Sequence, residues 1–234
     1  MATWERKLGL IVPSWNTVNE YEVQRAVVPA MSLHTMRIPH TADTEEKLMW
    51  MGTQVPAAAQ LLAHAKVEVI CYGCAAGGFI KGPKYDQQVI TDIMEATGIP
   101  GVTSAAATAA ALRSLGVERV SIASPYEPWL NEKLKQYLEV CGFEVLAMQG
   151  LGTQAHASFT PEQNAALAAE VDRPRTQAIF ISCSNFRTLE IIEPLEQKLG
   201  KPVVTSNMVS LWQMLRTIGD HRELPGAGRL FREA

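Results

Sequence analysis

Two stretches of the chain share one pattern, an apolar and β-branched run that stops abruptly at a small, polar turn. Residues 67–79 contain Cys74 at such a stop, and residues 178–188 contain Cys183 at the other. Short apolar runs bounded by turn residues are typical of buried strands, and helical periodicity follows the second run from Leu189. Each cysteine is therefore predicted at the carboxyl end of a strand, the edge where open α/β sheets bind their ligands.

The residues that follow the two strands also match. Gly98-Ile-Pro-Gly-Val-Thr-Ser104 follows the first strand, and Gly200-Lys-Pro-Val-Val-Thr-Ser206 follows the second. Each segment leads into a helix, which ends at Leu112-Arg-Ser-Leu-Gly116 in one case and at Leu215-Arg-Thr-Ile-Gly219 in the other. Two matching units indicate an internal duplication, and a pseudo-twofold relation would bring the two cysteine loops face to face.

Apolar runs and amphipathic segments alternate along the rest of the chain. This alternation predicts an α/β protein with two pseudo-symmetric Rossmann-like halves, residues 1–116 and 117–234, each with a mainly parallel sheet. The active site is expected in the cleft between the halves. Residues 44–65 are predicted as one helix with a break at Pro56, and residues 221–234 as an extended segment that packs back on the first half.

Composition narrows the class of function. The 234 residues include 47% hydrophobic and 19% charged residues, with a net charge of −3, so neither nucleic acid nor a membrane surface is an expected partner. The chain opens without a signal-peptide pattern, and no apolar run approaches the roughly 18 residues of a membrane span. Four cysteines without extracellular markers indicate thiols in a reducing compartment, so a cytoplasmic location is expected.

Position distinguishes the four cysteines. Cys74 and Cys183 precede predicted helices, where a thiol pKa is lowered, whereas Cys71 lies within a strand and Cys141 at a helix end. Cys71 and Cys74 form a C-x-x-C pair, but no further ligands lie close in the sequence, so no metal is predicted. The chain has neither GxGxxG nor a P-loop, so no cofactor is predicted either.

The spacing of the histidines indicates neither a metal site nor a Cys-His catalytic pair. None has a spacing suited to a metal, and none forms a recognisable pair with a cysteine, which argues against a Cys-His hydrolase. The five are His34, His40, His64, His156 and His221.

Two facing thiols without a cofactor suit chemistry at a carbon next to a carboxylate. One thiolate acts at the carbon while the other thiol supplies or removes a proton, and the enediolate-like intermediate needs several oriented neutral donors. Candidate donors are Asn16, Tyr126, the hydroxyls of Ser14 and Thr17, and the loop N–H groups of residues 75–78 and 184–185. Two alternatives stay open: Asn16 or Thr17 is a helix cap, and Tyr126 is an ordinary core or rim tyrosine.

Taken together, these motifs resemble the aspartate/glutamate racemase superfamily, specifically its branch of maleate cis-trans isomerases and arylmalonate decarboxylases. The resemblance runs nearly end to end. It rests on Pro13-Ser-Trp-Asn-Thr17, Tyr72-Gly-Cys-Ala-Ala-Gly-Gly-Phe79, Ser124-Pro-Tyr126, Ser182-Cys-Ser-Asn-Phe-Arg-Thr188, Pro202-Val-Val-Thr-Ser-Asn207 and Gly228-Arg-Leu-Phe231. The family fold has two pseudo-symmetric α/β halves with the site between them.

The resemblance implies roles for individual residues. Decarboxylases of this branch keep only the second-half cysteine, whereas the isomerases keep both. Cys74 would add to the double bond, and Cys183 would be the proton donor and acceptor. Asn16 and Tyr126 match carboxylate-binding positions.

The chain also departs from the isomerase pattern. Trp15 replaces a serine, Ala75 and Ala76 stand where hydroxyl residues are usual, and Gln154 takes the place of a binding asparagine in a loose alignment. These changes suggest a substrate that is less polar than maleate or differently shaped.

The leading hypothesis is therefore a cofactor-independent cis-trans isomerase of a small unsaturated dicarboxylate. A two-thiol racemase or an arylmalonate-type decarboxylase would pass through the same enediolate. A non-catalytic protein that binds a mono- or dicarboxylate is the third hypothesis, against which the two retained thiols argue. We expect a homo-oligomer, either a dimer or a tetramer.

Overall fold

Two four-stranded parallel sheets with the same strand order form the framework of the molecule. The structure, a computed structural model, describes residues 5–27 and 30–234. The orders are β2-β1-β3-β4 and β6-β5-β7-β8. The first sheet comprises β1 (Arg6–Pro13), β2 (Met31–Ile38), β3 (Val69–Tyr72) and β4 (Gly101–Thr103). The second comprises β5 (Arg119–Ser124), β6 (Glu144–Gly150), β7 (Ala178–Ile181) and β8 (Val203–Thr205). The predicted α/β class with two pseudo-symmetric halves is confirmed.

Helices connect successive strands, as parallel pairing requires. Those of the first half are α1 (Asn19–Ala26), α2 (Glu45–Thr53), α3 (Val55–Ala63), α4 (Ala75–Phe79), α5 (Pro83–Thr97) and α6 (Ser104–Ser114). Those of the second half are α7 (Pro128–Val140), α8 (Pro161–Glu170), α9 (Ile192–Leu199), α10 (Ser206–Thr217) and α11 (Leu230–Glu233). None of the helices within residues 5–27 and 30–234 is long and apolar enough to cross a bilayer.

The repeated Gly-x-Pro-x-Val-Thr-Ser segment has the same structural role in both halves. Gly98 and Gly200 end α5 and α9 with φ values of 69° and 70°, in the left-handed region that glycine adopts without strain. Thr103 and Thr205 cap the following helices, since their hydroxyls accept hydrogen bonds from the N–H groups two residues into α6 and α10. The duplication inferred from the sequence is thus a structural repeat.

Polar contacts across the two halves fix their relative position. The hydroxyls of Ser104 in α6 and Ser210 in α10 are 2.7 Å apart. Tyr137 of α7 donates to buried Asp86 of α5 at 2.8 Å. Arg6, at the start of β1, donates to Asp220 beyond α10 at 3.4 Å, which ties residues after the second sheet to the first.

Three local predictions needed correction. Residues 44–65 form two helices that meet at Gln54, because Pro56 fits the first turn of a new helix rather than the interior of an old one. The turn after Cys74 contains the short helix α4. The tail predicted as extended ends in α11, whose Leu230 and Phe231 are buried in the core.

Candidate active site

A small cavity of about 20 Å³ lies between the two sheets, at the carboxyl ends of β1, β3, β5 and β7. Both halves contribute to its walls. It is lined by Pro13, Trp15, Asn16, Asp43, Cys74, Ala75, Ala76, Tyr126, His156, Cys183, Ser184 and Asn185. The sequence repeat therefore does bring both strand-end cysteines to one pocket.

Cys74 follows β3 and begins α4. Its Sγ accepts a hydrogen bond from the Gly77 N–H at 3.3 Å, and the residue is only 5% exposed. Burial raises the pKa of this thiol to about 12, because the charged form loses its water; the amide donors and Tyr72 lower the pKa by less. The expectation that a helix start lowers this pKa is therefore wrong.

Cys183 follows β7 and has an unusual backbone, with a φ of 119°. Side chains rarely adopt this region, and such strain is concentrated at functional sites. Ser206 accepts the Cys183 N–H at 3.0 Å, and the Asn185 N–H donates to its Sγ at 3.4 Å. Burial again raises the thiol pKa, which also corrects the expectation for this cysteine.

Asn16 joins the two halves at the cavity wall. Its Nδ2 donates to Ser184 Oγ at 3.1 Å, while its Oδ1 accepts the N–H groups of Val18 and Asn19 at 3.0 and 2.9 Å. The two interpretations left open for this residue are thus compatible, since Oδ1 caps α1 and Nδ2 faces the cleft. Next to it, the Thr17 N–H donates to Asn185 Oδ1 at 2.9 Å.

Six of the nine predicted binding residues line the cavity and three do not. Asn16, Ala75, Ala76, Tyr126, Ser184 and Asn185 are the six. The side chains of Ser14 and Thr17 are exposed, and the Ser14 hydroxyl bonds the backbone of His40. Gln154 accepts the Asp43 N–H at 3.1 Å and donates to Glu127 at 3.3 Å. These three therefore support the wall rather than form it.

The structure also places in the cavity a His-Asp pair that the sequence did not reveal. His156 Nδ1 lies 3.5 Å from Cys183 Sγ, and His156 Nε2 lies 3.6 Å from Asp43 Oδ2. Asp43 Oδ1 is 2.8 Å from His40 Nε2. The statement that no histidine pairs with a cysteine is wrong, because 27 residues of chain separate His156 from Cys183.

A signal for this pair was available. Asp43 and His156 follow β2 and β6, which occupy equivalent edge positions in the two sheets. Their loops therefore open onto the same end of the sheets as the cysteine loops.

Aromatic rings hold the imidazoles in place. The Trp15 ring meets His40 and His156 edge-on, with centroid distances of 5.2 and 5.5 Å, and Tyr126 meets His156 at 5.7 Å. Burial lowers the pKa of His156 below its usual 6.5, and the nearby Asp43 carboxylate opposes this shift. This wall is polar, since the imidazole of His156 and the carboxylate of Asp43 lie beside Cys183, whereas two alanines follow Cys74.

No group of three or more His, Cys, Asp or Glu side chains within residues 5–27 and 30–234 is arranged to hold a metal ion. All four cysteines are free, and Cys71 lies fully buried in β3.

Comparison with known proteins places the chain in a family. The sequence model of the arylmalonate decarboxylase family matches residues 26–231. A maleate isomerase of Nocardia farcinica is 30% identical over 97% of this chain and 96% of that protein. The arylmalonate decarboxylase of Bordetella bronchiseptica is 32% identical over 67% of this chain and 68% of that protein.

Comparison with solved structures supports the same family. The maleate isomerase Iso of Pseudomonas putida S16, crystallised as a mutant with maleate, superposes with a TM-score of 0.94 at 26% identity, over 98% of each chain. A mutant of the N. farcinica maleate cis-trans isomerase with a covalently bound succinylcysteine intermediate gives 0.93 at 28% identity, over 98% of this chain and 99% of that one. The protein therefore belongs to the arylmalonate decarboxylase family of the aspartate/glutamate racemase superfamily, to which these maleate isomerases are also related.

Proposed function

We propose that the protein is a cofactor-independent cis-trans isomerase of a small unsaturated dicarboxylate of the maleate type. The observation that carries this proposal is the meeting of Cys74 and Cys183 in one cavity. They come from equivalent strand ends of the two halves, and neutral hydrogen-bond donors surround them. A nucleophile and a separate proton carrier are what addition to a double bond followed by rotation requires.

In this proposal the reaction is a reversible addition. The Cys74 thiolate forms a C–S bond to one alkene carbon, and the π electrons move to the neighbouring carboxylate as an enediolate. Cys183 protonates the adjacent carbon, the former double bond rotates as a single bond, and Cys183 removes the proton again. The C–S bond then breaks, which releases the trans alkene and restores the thiolate.

The enediolate carries more charge than the substrate, so the site must stabilise it without water. Asn16 Nδ2 lies on the cavity wall within 3.1 Å of Ser184, and the loop after Cys183 offers further donors. We assign substrate binding to Asn16, Tyr126, Ser184, Asn185 and the backbone beside Ala75 and Ala76.

The relatives support this choice of chemistry. One solved relative holds maleate, and another holds a succinylcysteine, the thioether expected when a thiolate adds to such an alkene. Catalysis by a two-thiol racemase or a decarboxylase is the second candidate, and the family description favours the decarboxylase. The pair of cavity thiols argues against a non-catalytic binding protein.

Separate incubations with maleate, a racemisable amino acid and an arylmalonate, followed by proton NMR, test the assignment. We expect fumarate from maleate and no change in the other two tubes. Cys74→Ala and Cys183→Ala should each abolish turnover. Cys71→Ala and Cys141→Ala are matched controls that should retain it, because neither thiol lines the cavity. Turnover of the amino acid or the arylmalonate alone would overturn the proposal.

We also propose that no metal or organic cofactor takes part. The thiols supply both the nucleophile and the proton, and the steps above balance without a redox or Lewis-acid partner. Exhaustive chelation should therefore leave kcat unchanged. Activity that disappears with the chelator and returns with a divalent ion would contradict this.

We further propose that the chain works in the cytoplasm as a homo-oligomer, either a dimer or a tetramer. Four free cysteines are consistent with a reducing compartment. Light scattering of the purified protein measures its mass directly, and a monomer at working concentration would contradict the oligomer.

A further inference from the structure

The proposed reaction does not yet include a group that accepts the proton of the Cys74 thiol. Addition needs Cys74 as a thiolate and Cys183 as a thiol in the same complex, yet burial raises the Cys74 pKa to about 12. A nearby base must accept the Cys74 proton.

The cavity contains a base in the required place. His156 Nδ1 is 3.5 Å from Cys183 Sγ, a contact within reach of a thiol–imidazole hydrogen bond. The other ring nitrogen faces Asp43 Oδ2 at 3.6 Å. A nucleophile or proton carrier beside a base, with a third group that orients the base, is the arrangement found in catalytic triads.

Asp43 is itself held firmly. Its Oδ1 is 2.8 Å from His40 Nε2, and its N–H donates to Gln154. Asp43, His40 and His156 are all buried, so the network is shielded from solvent ions. Trp15 contacts both imidazole rings edge-on and restricts their rotation.

We propose that His156 is the proton reservoir of the two-thiol site, oriented and stabilised as an imidazolium by Asp43. This inference rests on the proposed function and deepens it. His156 acts through Cys183 and is a positioning residue in this account.

The protons balance at each step. In the resting site both thiols are protonated and His156 is neutral. His156 takes the Cys183 proton through Nδ1, and the Cys183 thiolate then takes the Cys74 proton across the cavity. The result is a Cys74 thiolate, a Cys183 thiol and an imidazolium beside Asp43.

The imidazolium then serves the next step. When Cys183 protonates the substrate carbon, it is left as a buried thiolate, and the Nδ1–H of His156 donates to it. On elimination, Cys183 recovers its proton from the carbon and Cys74 leaves as a thiolate. The reservoir keeps its proton during turnover, so no exchange with bulk water is required.

Alkylation of Cys183 by iodoacetamide tests the reservoir without any substrate. Thiolate, not thiol, reacts, so the rate reports how often His156 holds the Cys183 proton. At pH 7 we expect His156→Gln to slow alkylation of the Cys183 peptide at least tenfold. His64→Gln, a change at an exposed histidine far from the cavity, should leave it unchanged.

Kinetics provide the second readout. With maleate, His156→Gln should lower kcat by about 10²–10⁴, the usual contribution of a positioned acid–base group, and change KM much less. The wild-type kcat/KM should fall as pH drops through the His156 pKa, below 6.5, because a protonated ring cannot accept the thiol proton. In the pH profile of His156→Gln, kcat/KM should not show this fall at low pH, the acid limb of the profile. His40, Asp43, Glu127, Tyr126 and Cys183 also face the ring, so the limb is assigned by its loss in His156→Gln.

Asp43→Asn, which keeps the side chain's shape, gives the same two readouts if His156→Gln does not fold. If the variants slow Cys183 alkylation but the wild-type protein turns over no dicarboxylate, the proton reservoir is supported and the proposed isomerase is contradicted. Wild-type alkylation and wild-type kcat in folded variants would overturn the reservoir and leave the isomerase standing.

Discussion

At the scale of single residues, the two cysteines occupy equivalent places and differ in backbone strain. Cys74 has an ordinary φ of −118°, whereas Cys183 has a φ of 119°. The strain costs on the order of 1–3 kcal/mol and persists only because the surrounding contacts hold it. The Ser206 hydroxyl that accepts the Cys183 N–H is one of those contacts.

This asymmetry predicts opposite effects of glycine at the two positions. Cys183→Gly should unfold with a free energy about 1 kcal/mol higher than Cys183→Ala, because glycine adopts the positive φ without strain. Cys74→Gly should be less stable than Cys74→Ala by about 0.5–1 kcal/mol, because only chain entropy changes there. Urea titrations measure both differences. If the difference in unfolding free energy between the Gly and Ala variants had the same sign at both sites, Cys183 would not be strained in solution.

The two thiols could be predicted from the sequence, whereas the imidazole of His156 could not, and the difference has a physical reason. Cys74 and Cys183 each end an apolar run, and such runs are visible in a local window. His156 becomes significant only once β2 and β6 are recognised as equivalent edge strands, because that equivalence brings their loops to the loop after β7. The pKa expectation failed similarly, since burial outweighs the local effect of a helix start.

At the scale of elements, one carboxylate connects α1 to the loop that carries Cys183. Glu22 is fully buried, and it accepts hydrogen bonds from the Thr188 N–H and hydroxyl, from the Leu189 N–H at 2.8 Å and from Asn207 Nδ2 at 2.6 Å. These donors offset part of the cost of burying the charge, and burial still raises the pKa of Glu22 above its usual value.

Glu22→Gln should therefore destabilise the protein and loosen this loop. The amide offers one acceptor oxygen instead of two and places an NH₂ against donors, at a cost of about 1–3 kcal/mol in unfolding free energy. Hydrogen exchange at residues 183–189 should rise in the same variant. Glu20→Gln, on the exposed side of the same helix, is the control and should change neither quantity by much. Unchanged exchange in Glu22→Gln would contradict the role assigned to this carboxylate.

A second buried carboxylate links α5 to α7 and makes stability depend on pH. Burial raises the pKa of Asp86 to about 6, from a usual 3.8, against the opposing hydrogen bonds from Thr103 and Tyr137. The folded protein thus binds a proton that the unfolded chain releases. Stability from this group is complete below pH 3.8 and is lost as pH rises through 6, by about 3 kcal/mol in all.

Asp86→Asn should remove this contribution. Denaturation measured at several pH values between 4 and 7 should show a flatter slope for the variant than for the wild type. Asp92→Asn, on the same helix, is the matched control, because within residues 5–27 and 30–234 this carboxylate accepts its side-chain hydrogen bond from Gln88 alone. Parallel slopes for the wild type and Asp86→Asn would contradict the raised pKa.

Most elements followed from the sequence because their signals are local. The apolar runs within residues 67–79 and 178–188 form β3 and β7, and the repeated Gly-x-Pro-x-Val-Thr-Ser segments contain β4 and β8. Local signals were insufficient for α4, which is stabilised by complete burial, and for α11, which is fixed by core contacts of Leu230 and Phe231.

At the scale of the whole molecule, duplication explains why the site lies where it does. Two copies of one β-α arrangement, with identical strand orders, place their strand ends around a single cavity. The two cysteines also differ in their surroundings, because His156 contacts Cys183 and pairs with Asp43, which follows β2 of the first half. In the proposed mechanism Cys74 is the nucleophile and Cys183 the proton carrier.

Mass spectrometry of the covalent intermediate tests the roles of Cys74 as nucleophile and Cys183 as proton carrier. Wild-type protein and Cys183→Ser are mixed with maleate in deuterated water, quenched and digested. We predict a mass increase of one dicarboxylate on the wild-type peptide that contains Cys74, and fumarate released only by the wild type. Solvent deuterium at the substrate carbon, with no adduct on Cys74 and no fumarate, would contradict it and point to a racemase.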